Sequence, residues 1–346
     1  MSRVWYCTRE DVKHATETAE TARNNTQIDR AIAAASEGID ALTRRRFYPQ
    51  VATRYFDWPD TQYATTWRLW LNQHELISVT TLTAGGETIA ASDFFLYPTD
   101  GPPYTRLEID LSSTASFGGG DTHQRDIAIT GVFGYSADEA AAGALAEALD
   151  ASETAVDVTD SALIGVGQLI KVDSERMQVT GKSMLTTGQT LQTAMTADDS
   201  NTTCVVSNGA TFAAGETILL DAERMLIVDI AGNSLIVKRA YDGSVLAAHT
   251  GSTVYAPRTL TVERGVLGTT AATHTTSTAI TKHVVPSLVR DLCIGEALNT
   301  VHQEASGYAR QIGKGESARE LYARGLRDLR QQVYEGLARR TRIRAV

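Results

Sequence analysis

Two histidines stand in matching sequence surroundings, and they are the residues best suited to act as a general base or a metal ligand. His249 follows a pair of alanines, and His274 follows a pair of alanines and one threonine. Neither has a cysteine or a second histidine at the spacing of a zinc site. We therefore expect no metal site, and we predict that each ring makes a structural hydrogen bond to a loop carbonyl.

Each histidine also lies downstream of a Glu-Arg pair that could supply an acid and a base. The pairs are Glu175-Arg176 and Glu223-Arg224. Neighbouring residues of a strand point to opposite faces of the sheet, so such a pair cannot converge on one reacting atom. The pattern therefore favours turn or edge-strand positions over catalysis.

Two glycine-rich segments suggest phosphate binding but lack the context that it requires. The segment 313–315 does not have the Gly-x4-Gly-Lys-Ser/Thr spacing of a phosphate loop. The triple glycine 118–120 is not placed between a strand and a helix, as a dinucleotide site requires. The sequence also contains no nucleophile elbow and no His-Glu-x-x-His motif. We predict no catalytic residue, no cofactor and no enzymatic activity.

The composition is that of an acidic chain with enough apolar material for more than one core. The 346 residues are 42% hydrophobic and carry a formal net charge of −9, which argues against general coating of duplex DNA. Cys7, Cys204 and Cys293 form no Cys-x-x-Cys motif, which fits a reducing compartment without a disulfide framework. There is no signal segment and no apolar run long enough to span a membrane. We expect a soluble, cytoplasmic product with two or three domains.

Arginines are concentrated at two places in this acidic chain. One cluster is followed by two aromatic residues, and the other ends the chain without a neighbouring carboxylate. Such clusters are either solvated ends or contacts for an acidic surface, because guanidinium groups pair bidentately with carboxylates. For the C-terminal cluster, DNA phosphates are the competing target. The candidate contact residues are Arg44, Arg45, Arg46, Phe47, Tyr48, Arg339, Arg340, Arg342 and Arg344.

Helical periodicity positions the first arginine cluster. Within 26–49, five apolar residues step by four and three, as on one face of an amphipathic helix; they are Ile28, Ile32, Ala35, Ile39 and Leu42. We predict that this helix carries the arginines in its last turn and stops before Pro49, because the residue before a proline is disfavoured in the α conformation. A weaker helix from Thr8 to about 22 could become ordered only against a partner.

The remaining elements are predicted from local residue composition and periodicity. The segment 51–135 is rich in β-branched and aromatic residues between turn-forming sets, which predicts short strands. The alanine-rich segment 138–149 is interpreted as a connecting helix. Helical period returns after Pro286 and predicts two further helices.

The middle of the chain contains a nested repeat. The segment 167–177 matches 215–225 at an offset of 48 (215 against 167), whereas 237–249 matches 262–274 at an offset of 25 (262 against 237). Tandem copies would show one offset, so we infer that one copy is inserted into the other at a hairpin tip within 181–192, where insertion is tolerated best. The predicted units are an outer module (146–192 and 257–283), an inner module (193–256) and a remaining domain (1–145 and 284–346).

Motifs along 8–135 follow one another in a characteristic order. A helix ending Arg-Arg-Arg-Phe-Tyr-Pro precedes Tyr-Phe-Asp-Trp-Pro (55–59), Leu-Ile-Ser-Val-Thr-Thr-Leu (76–82) and Ile-Thr-Gly-Val-Phe-Gly-Tyr (129–135). This order resembles the head-to-tail connector (adaptor, head-completion) proteins of long-tailed phages, and the resemblance resumes near Pro286. It implies an α+β fold, a helical connector core with a small β region. Here that core would carry two nested small β-barrel or sandwich modules, an insertion that departs from the family pattern.

The resemblance implies a structural protein of the virion neck, assembled in the host cytoplasm. It implies a homo-oligomeric ring, a dodecamer matched to the portal protein, that also binds a tail-side stopper or tail completion protein. DNA would pass through the ring without sequence-specific binding, and no membrane would be involved. The terminal helices and the two arginine clusters would make the ring and portal contacts, and the β modules would project outward.

Two other functions remain open. The β modules could bind capsid protein or a surface glycan through loops around 241–242 and 269–270, which would make the chain an accessory virion protein. An enzyme such as a nuclease has support only from scattered aspartates and histidines.

Overall fold

Antiparallel β-sheet dominates the computed structural model, which describes residues 4–16, 25–58, 65–305, 311–312, 319–320 and 324–339. Three sheets of four, three and ten strands and four helices make up most of the described part. The predicted helical core with a small β region is therefore wrong, although the α+β class holds. The reason is that the short strands of 51–135 build two sheets with a core of their own, independent of the helices.

The helices form one cluster, in which the second and third make the most extensive contact. They are α1 (Arg9–Thr16), α2 (Asn25–Thr43), α3 (Ser287–Ala305) and α4 (Arg324–Leu337). The predicted amphipathic helix is confirmed in α2, which buries the stripe Ile28, Ile32, Ala35 and Ile39.

The end of α2 differs from the prediction. The helix stops at Thr43, before the arginines. Arg44 adopts a left-handed conformation (φ 57°), and its N–H closes the last turn on the Asp40 carbonyl at 2.9 Å. This is a common way for a helix to end, and it leaves Arg44, Arg45 and Arg46 in the following loop.

The two ends of the chain share this helical core. Val12 of α1 is buried with α2, and so are Val289 and Leu292 of α3 and Val333 of α4. Arg290 pairs with Asp11 at 2.6 Å and joins α3 to α1 across most of the sequence. The weak helix after Thr8 is thus packed within the chain itself, where Asp11 and Thr8 cap its first turn reciprocally.

Residues 50–133 form the four-stranded and three-stranded sheets over a shared apolar core. The four-stranded sheet has the order β1-β7-β3-β4, and the three-stranded sheet has the order β2-β6-β5. Gly131 is required where β7 meets a bulge in β3, because a Cβ there would lie 2.1 Å from the Ser78 carbonyl oxygen. The strands are β1 (Gln50–Phe56), β2 (Arg68–Trp70), β3 (Leu76–Ala84), β4 (Glu87–Ile89), β5 (Phe94–Tyr97), β6 (Arg106–Ile109) and β7 (Ile127–Phe133).

Residues 139–283 form the ten-stranded sheet, in the order β12-β15-β14-β13-β16-β11-β10-β17-β8 with β9 beside β16. A further two-stranded ribbon joins β18 (Gln311–Ile312) and β19 (Arg319–Glu320). The strands of the large sheet are β8 (Glu139–Ala144), β9 (Ala155–Asp157), β10 (Leu169–Val172), β11 (Glu175–Thr190), β12 (Thr203–Val205), β13 (Thr217–Leu220), β14 (Glu223–Ala231), β15 (Ser234–Lys238), β16 (Thr253–Glu263) and β17 (Ala279–His283).

The alanine-rich segment 138–149 is not the connecting helix that its composition predicted. Its first half is strand β8, which pairs with β17, and Ala142 is completely buried in the core of the outer module. Gly143 has φ 91° and interrupts any helical run. Burial and strand pairing therefore override the helix propensity of alanine.

The segment 181–192, which was predicted to contain the insertion point, is strand as far as Thr190. Strands β11 and β16 run without a break through both modules and pair from Gln178 with Glu263 to Thr190 with Thr253, with three irregularities. Each module nevertheless buries its own apolar cluster on its own part of this ladder. The two modules thus share one pair of strands while each has a core of its own.

Candidate functional site

The first candidate is the cluster around the repeated histidine of the inner module. Strand β14 opens with Glu223, which is fully buried and receives two hydrogen bonds from Arg239, at 2.7 and 2.8 Å. His249 places Nε2 2.9 Å from Glu223 and Nδ1 2.7 Å from Asp221. The backbone amides of Ala240 and Ala247 also donate to the Glu223 carboxylate, each at 2.9 Å.

The arginine of this cluster ties together loops that are distant in sequence. Beyond Glu223, the guanidinium of Arg239 donates to the carbonyls of Thr196, Asn201 and Ala247. A planar group with five donors suits this role, because it can satisfy several fixed acceptors at once. The cluster is therefore a buried hydrogen-bonding network that holds the loops of the inner module together.

The outer module repeats the cluster with the same geometry. Glu175 accepts from Arg264 at 2.7 and 2.8 Å, and His274 lies 2.9 Å from Glu175 and 2.8 Å from Asp173. Arg264 likewise donates to three loop carbonyls. Glu175 and Glu223 each open a strand directly after a turn. Their side chains pair with arginines from the second repeated block rather than with Arg176 and Arg224.

The electrostatics of both clusters favour permanent charge over proton transfer. Burial disfavours the ionised carboxylate, but hydrogen bonds from Arg264, His274 and two backbone amides outweigh it and lower the pKa of Glu175 to about 2. The equivalent contacts lower the pKa of Glu223 to about 2. The hydrogen bonds from His249 and Ser252 lower the pKa of Asp221 as well. A base of such low pKa is poorly matched to proton abstraction near neutral pH, and the arrangement suits a structural role.

The prediction that each histidine ring bonds to a loop carbonyl is wrong. The rings bond to carboxylates, and it is the backbone N–H of each histidine that reaches a loop carbonyl, Leu149 for His274 and Met195 for His249. Within the described ranges, no group of three or more His, Cys, Asp or Glu side chains is arranged to hold a metal ion.

The second candidate is a group of basic residues at the end of α2, here called the basic junction. It brings one predicted arginine cluster next to the start of the other, since the Arg339 N–H donates to the Thr43 carbonyl at 2.9 Å. Two residues from the four-stranded sheet region join it without having been predicted. The basic junction consists of Arg44, Arg45, Arg46, Arg54, His74 and Arg339.

Two arginines of the basic junction are paired within the chain. Arg45 Nε lies 3.0 Å from Glu75, and Arg339 Nη2 lies 3.4 Å from the same carboxylate, which is almost fully buried. Arg45 also donates to the Leu337 carbonyl at 2.9 Å and covers the Tyr135 ring at 4.9 Å. These contacts fix the end of α4 against α2, so Arg45 and Arg339 stabilise the fold of the chain itself.

Among the remaining basic residues, Arg46, Arg54 and His74 lie close enough to influence one another electrostatically. Arg44 and Arg46 are exposed, and Arg46 and Arg54 both approach the Gln50 amide oxygen. Burial, followed by the charges of Arg54, Arg339 and Arg46, lowers the pKa of His74. Arginines held this close together create a positive local potential, which favours the binding of an anionic group. Sequence spacing holds no signal for His74, because only the fold brings it here.

The aromatic residues of the first cluster belong to the core. Phe47 is 0% exposed, and its backbone binds Tyr6 Oη through N–H and His283 Nε2 through its carbonyl. Phe47 therefore cannot lie at an interface of this conformation, and Tyr48 packs partly buried against the same cluster. Arg340, Arg342 and Arg344 lie outside the described residues.

Comparison with known proteins finds no matching family model, no matching curated protein and no matching solved structure. Among the described helices, none combines the length and the apolar character needed to cross a bilayer.

Proposed function

We propose that this chain is a structural head-to-tail adaptor of a tailed phage. In this role it forms a ring, a dodecamer by the family resemblance, that binds the portal protein and links it to a stopper or tail completion protein around the DNA channel. The support comes from the order of motifs along 8–135 and from the arrangement of the two chain ends. In both buried histidine clusters an arginine holds the central glutamate ionised, which suits a structural role.

The observation that carries the proposal is the union of the two chain ends in one helical cluster whose edge is basic. The exposed Arg44 and Arg46 lie beside Arg339, which leads directly into the last arginines of the sequence. In a chain of net charge −9, such a concentration of cations fits an acidic partner surface. A modest interface of this kind becomes a tight joint when a closed ring repeats it.

The alternative function through the β modules finds less support. Asp242, in one of the loops expected to bind capsid or glycan, pairs at 2.6 Å with Lys13 of α1 and with Arg224. In the equivalent loop, the Thr269 hydroxyl accepts from the Arg176 N–H at 3.0 Å. Residues of both loops thus form bonds with other parts of the same chain.

The same contacts limit the expectation that the modules project freely. The outer module meets α1 where the Arg9 N–H donates to the Val166 carbonyl and the Val166 N–H donates to Glu10. Deletion of 150–283 would remove these contacts together with His283. Charge reversal at the basic junction is therefore a sharper test of the proposed function than removal of the modules.

The test is binding of the purified chain to the portal protein encoded in the same genome. Reversing both exposed charges (Arg44→Glu with Arg46→Glu) should weaken binding by roughly tenfold or more, and added salt should weaken wild-type binding. Lys238→Glu is the matched control, because Lys238 is an exposed cation on β15 of the inner module. A wild-type chain that never binds the portal, or a double variant that binds as well as the control, would refute the proposal.

A further inference from the structure

Two of the three cysteines meet in the helical cluster although 286 residues separate them in sequence. The Sγ atoms of Cys7, just before α1, and Cys293, within α3, are 3.2 Å apart, and both residues are buried. Cys204 lies in the separate core of the inner module. The sequence offered no sign of the pair, because neither cysteine belongs to a spacing motif.

The surroundings of the pair distinguish the two sulfurs. The Cys7 thiol donates toward Cys293, and Ser36 Oγ lies 3.5 Å from the Cys293 sulfur. Ser36 is itself held by the Tyr6 N–H at 3.1 Å and by its own bond to the Ile32 carbonyl. The hydrogen bond from Cys7 lowers the pKa of Cys293, whereas the shared hydrogen bond and burial raise the pKa of Cys7. Cys293 is thus the sulfur that more readily becomes a thiolate nucleophile.

We propose that Cys7 and Cys293 are a disulfide-forming site that joins the N-terminal segment to α3 when a peroxide is present. A disulfide requires a separation of about 2.05 Å, so the sulfurs need to approach by only about 1 Å. Hydrogen peroxide is the oxidant chosen here, because both sulfurs are buried and it is a small molecule.

The chemistry balances with hydrogen peroxide as the oxidant. The Cys293 thiolate attacks one peroxide oxygen, the O–O bond breaks, and the released hydroxide takes a proton to become water, which leaves a sulfenic acid. The Cys7 sulfur then attacks the Cys293 sulfur, the S–O bond breaks, and the hydroxyl leaves as a second water with the Cys7 proton. Two thiols are oxidised and one peroxide is reduced to two waters.

The bond would close the chain over nearly its whole length. It would fix the start of α1 against α3, next to the ion pair between Arg290 and Asp11. Because the loop that it closes is long, it should restrict the unfolded state strongly. The inference goes beyond the adaptor proposal and does not depend on it.

The experiment uses the purified full chain, first reduced and then treated with hydrogen peroxide. Thiols counted after denaturation should fall from three to one, and the oxidised chain should migrate faster on a non-reducing gel. Mass spectrometry of a tryptic digest should show peptides 4–9 and 291–310 linked, with a mass two hydrogens below their sum. The thermal midpoint of the helical cluster should rise by roughly 5 °C.

Two variants separate the pair from the remaining cysteine. Cys204→Ser should fall from two thiols to none and keep the linked peptide, whereas Cys293→Ser should keep two thiols and form no link. If Cys293→Ser does not fold, Cys204→Ser alone decides the matter. Retention of three thiols in the wild-type chain, or loss of thiols to higher oxides without a linked peptide, would overturn the proposal.

Discussion

Replacing Glu223 by glutamine removes one negative charge from the buried cluster that closes the inner module. The side chains of Glu223 and Arg239 are both 0% exposed. Removing one partner of a buried ion pair costs about 3–5 kcal/mol, because the remaining charge stays buried without compensation. We therefore expect Glu223→Gln to lower the free energy of unfolding of the inner module by about 3–5 kcal/mol. Glu175→Gln should do the same in the outer module, since the contacts of the two clusters coincide.

Urea unfolding combined with hydrogen exchange measures this effect and locates it. Amides of β14 and β15 should lose protection in Glu223→Gln, while the core of the outer module keeps its own. Glu263→Gln is the matched control, because Glu263 is exposed at the end of β16, and a surface change of this kind stays within about 0.5 kcal/mol.

The same cluster makes the stability of the inner module decrease as the pH falls. The pKa of Glu223 is about 2 in the folded chain against an ordinary 4.5, so its stabilising contribution is complete above pH 4.5 and is lost as the pH falls toward 2. The wild-type chain should lose stability across this window more steeply than Glu223→Gln. A wild-type stability that is flat in this window, or a Glu223→Gln variant as stable as Glu263→Gln, would refute the reasoning.

Two further predictions concern the core and the insertion. Phe47→Ala should cost about 3–5 kcal/mol in thermal unfolding, because the ring is completely buried; a cost below about 1 kcal/mol would contradict its place in the core. Replacing 187–254 by Asn-Gly should restore a hairpin between Thr186 and Tyr255, which are paired in the ladder, and should leave the outer module folded, as circular dichroism and hydrogen exchange can check. Loss of protection in β10 and β17 would show that the modules do not have independent cores.

Patterns in the sequence predict those parts of the fold that depend on helical periodicity or on the equivalence of the repeats. The stripe of α2 follows from periodicity, and the repeat offsets of 48 and 25 place Arg239 and Arg264 in matching blocks. That match was a usable signal for the buried clusters. The signal lies in the equivalence between the two copies and not in the adjacency of Glu and Arg along the chain.

Other features depend on contacts that a one-dimensional pattern does not contain. The burial of Ala142 against β17 turns an alanine-rich segment into a strand. The continuity of β11 and β16 depends on pairing between distant segments. In the basic junction, the sequence predicts the contribution of Arg44 and Arg46. The pairing of Arg45 and Arg339 with Glu75 and the position of His74 depend on the packing of α4 and the four-stranded sheet on α2.

The proposed function requires that this chain work as a repeated unit of a ring at the portal. Electron microscopy of the purified chain mixed with the portal protein tests it most directly, because class averages show both closure and location. We predict rings of one symmetry stacked coaxially on the portal, with helical clusters at the contact. Particles in which the chain stays monomeric, or binds the portal at scattered positions without closing a ring, would contradict the account.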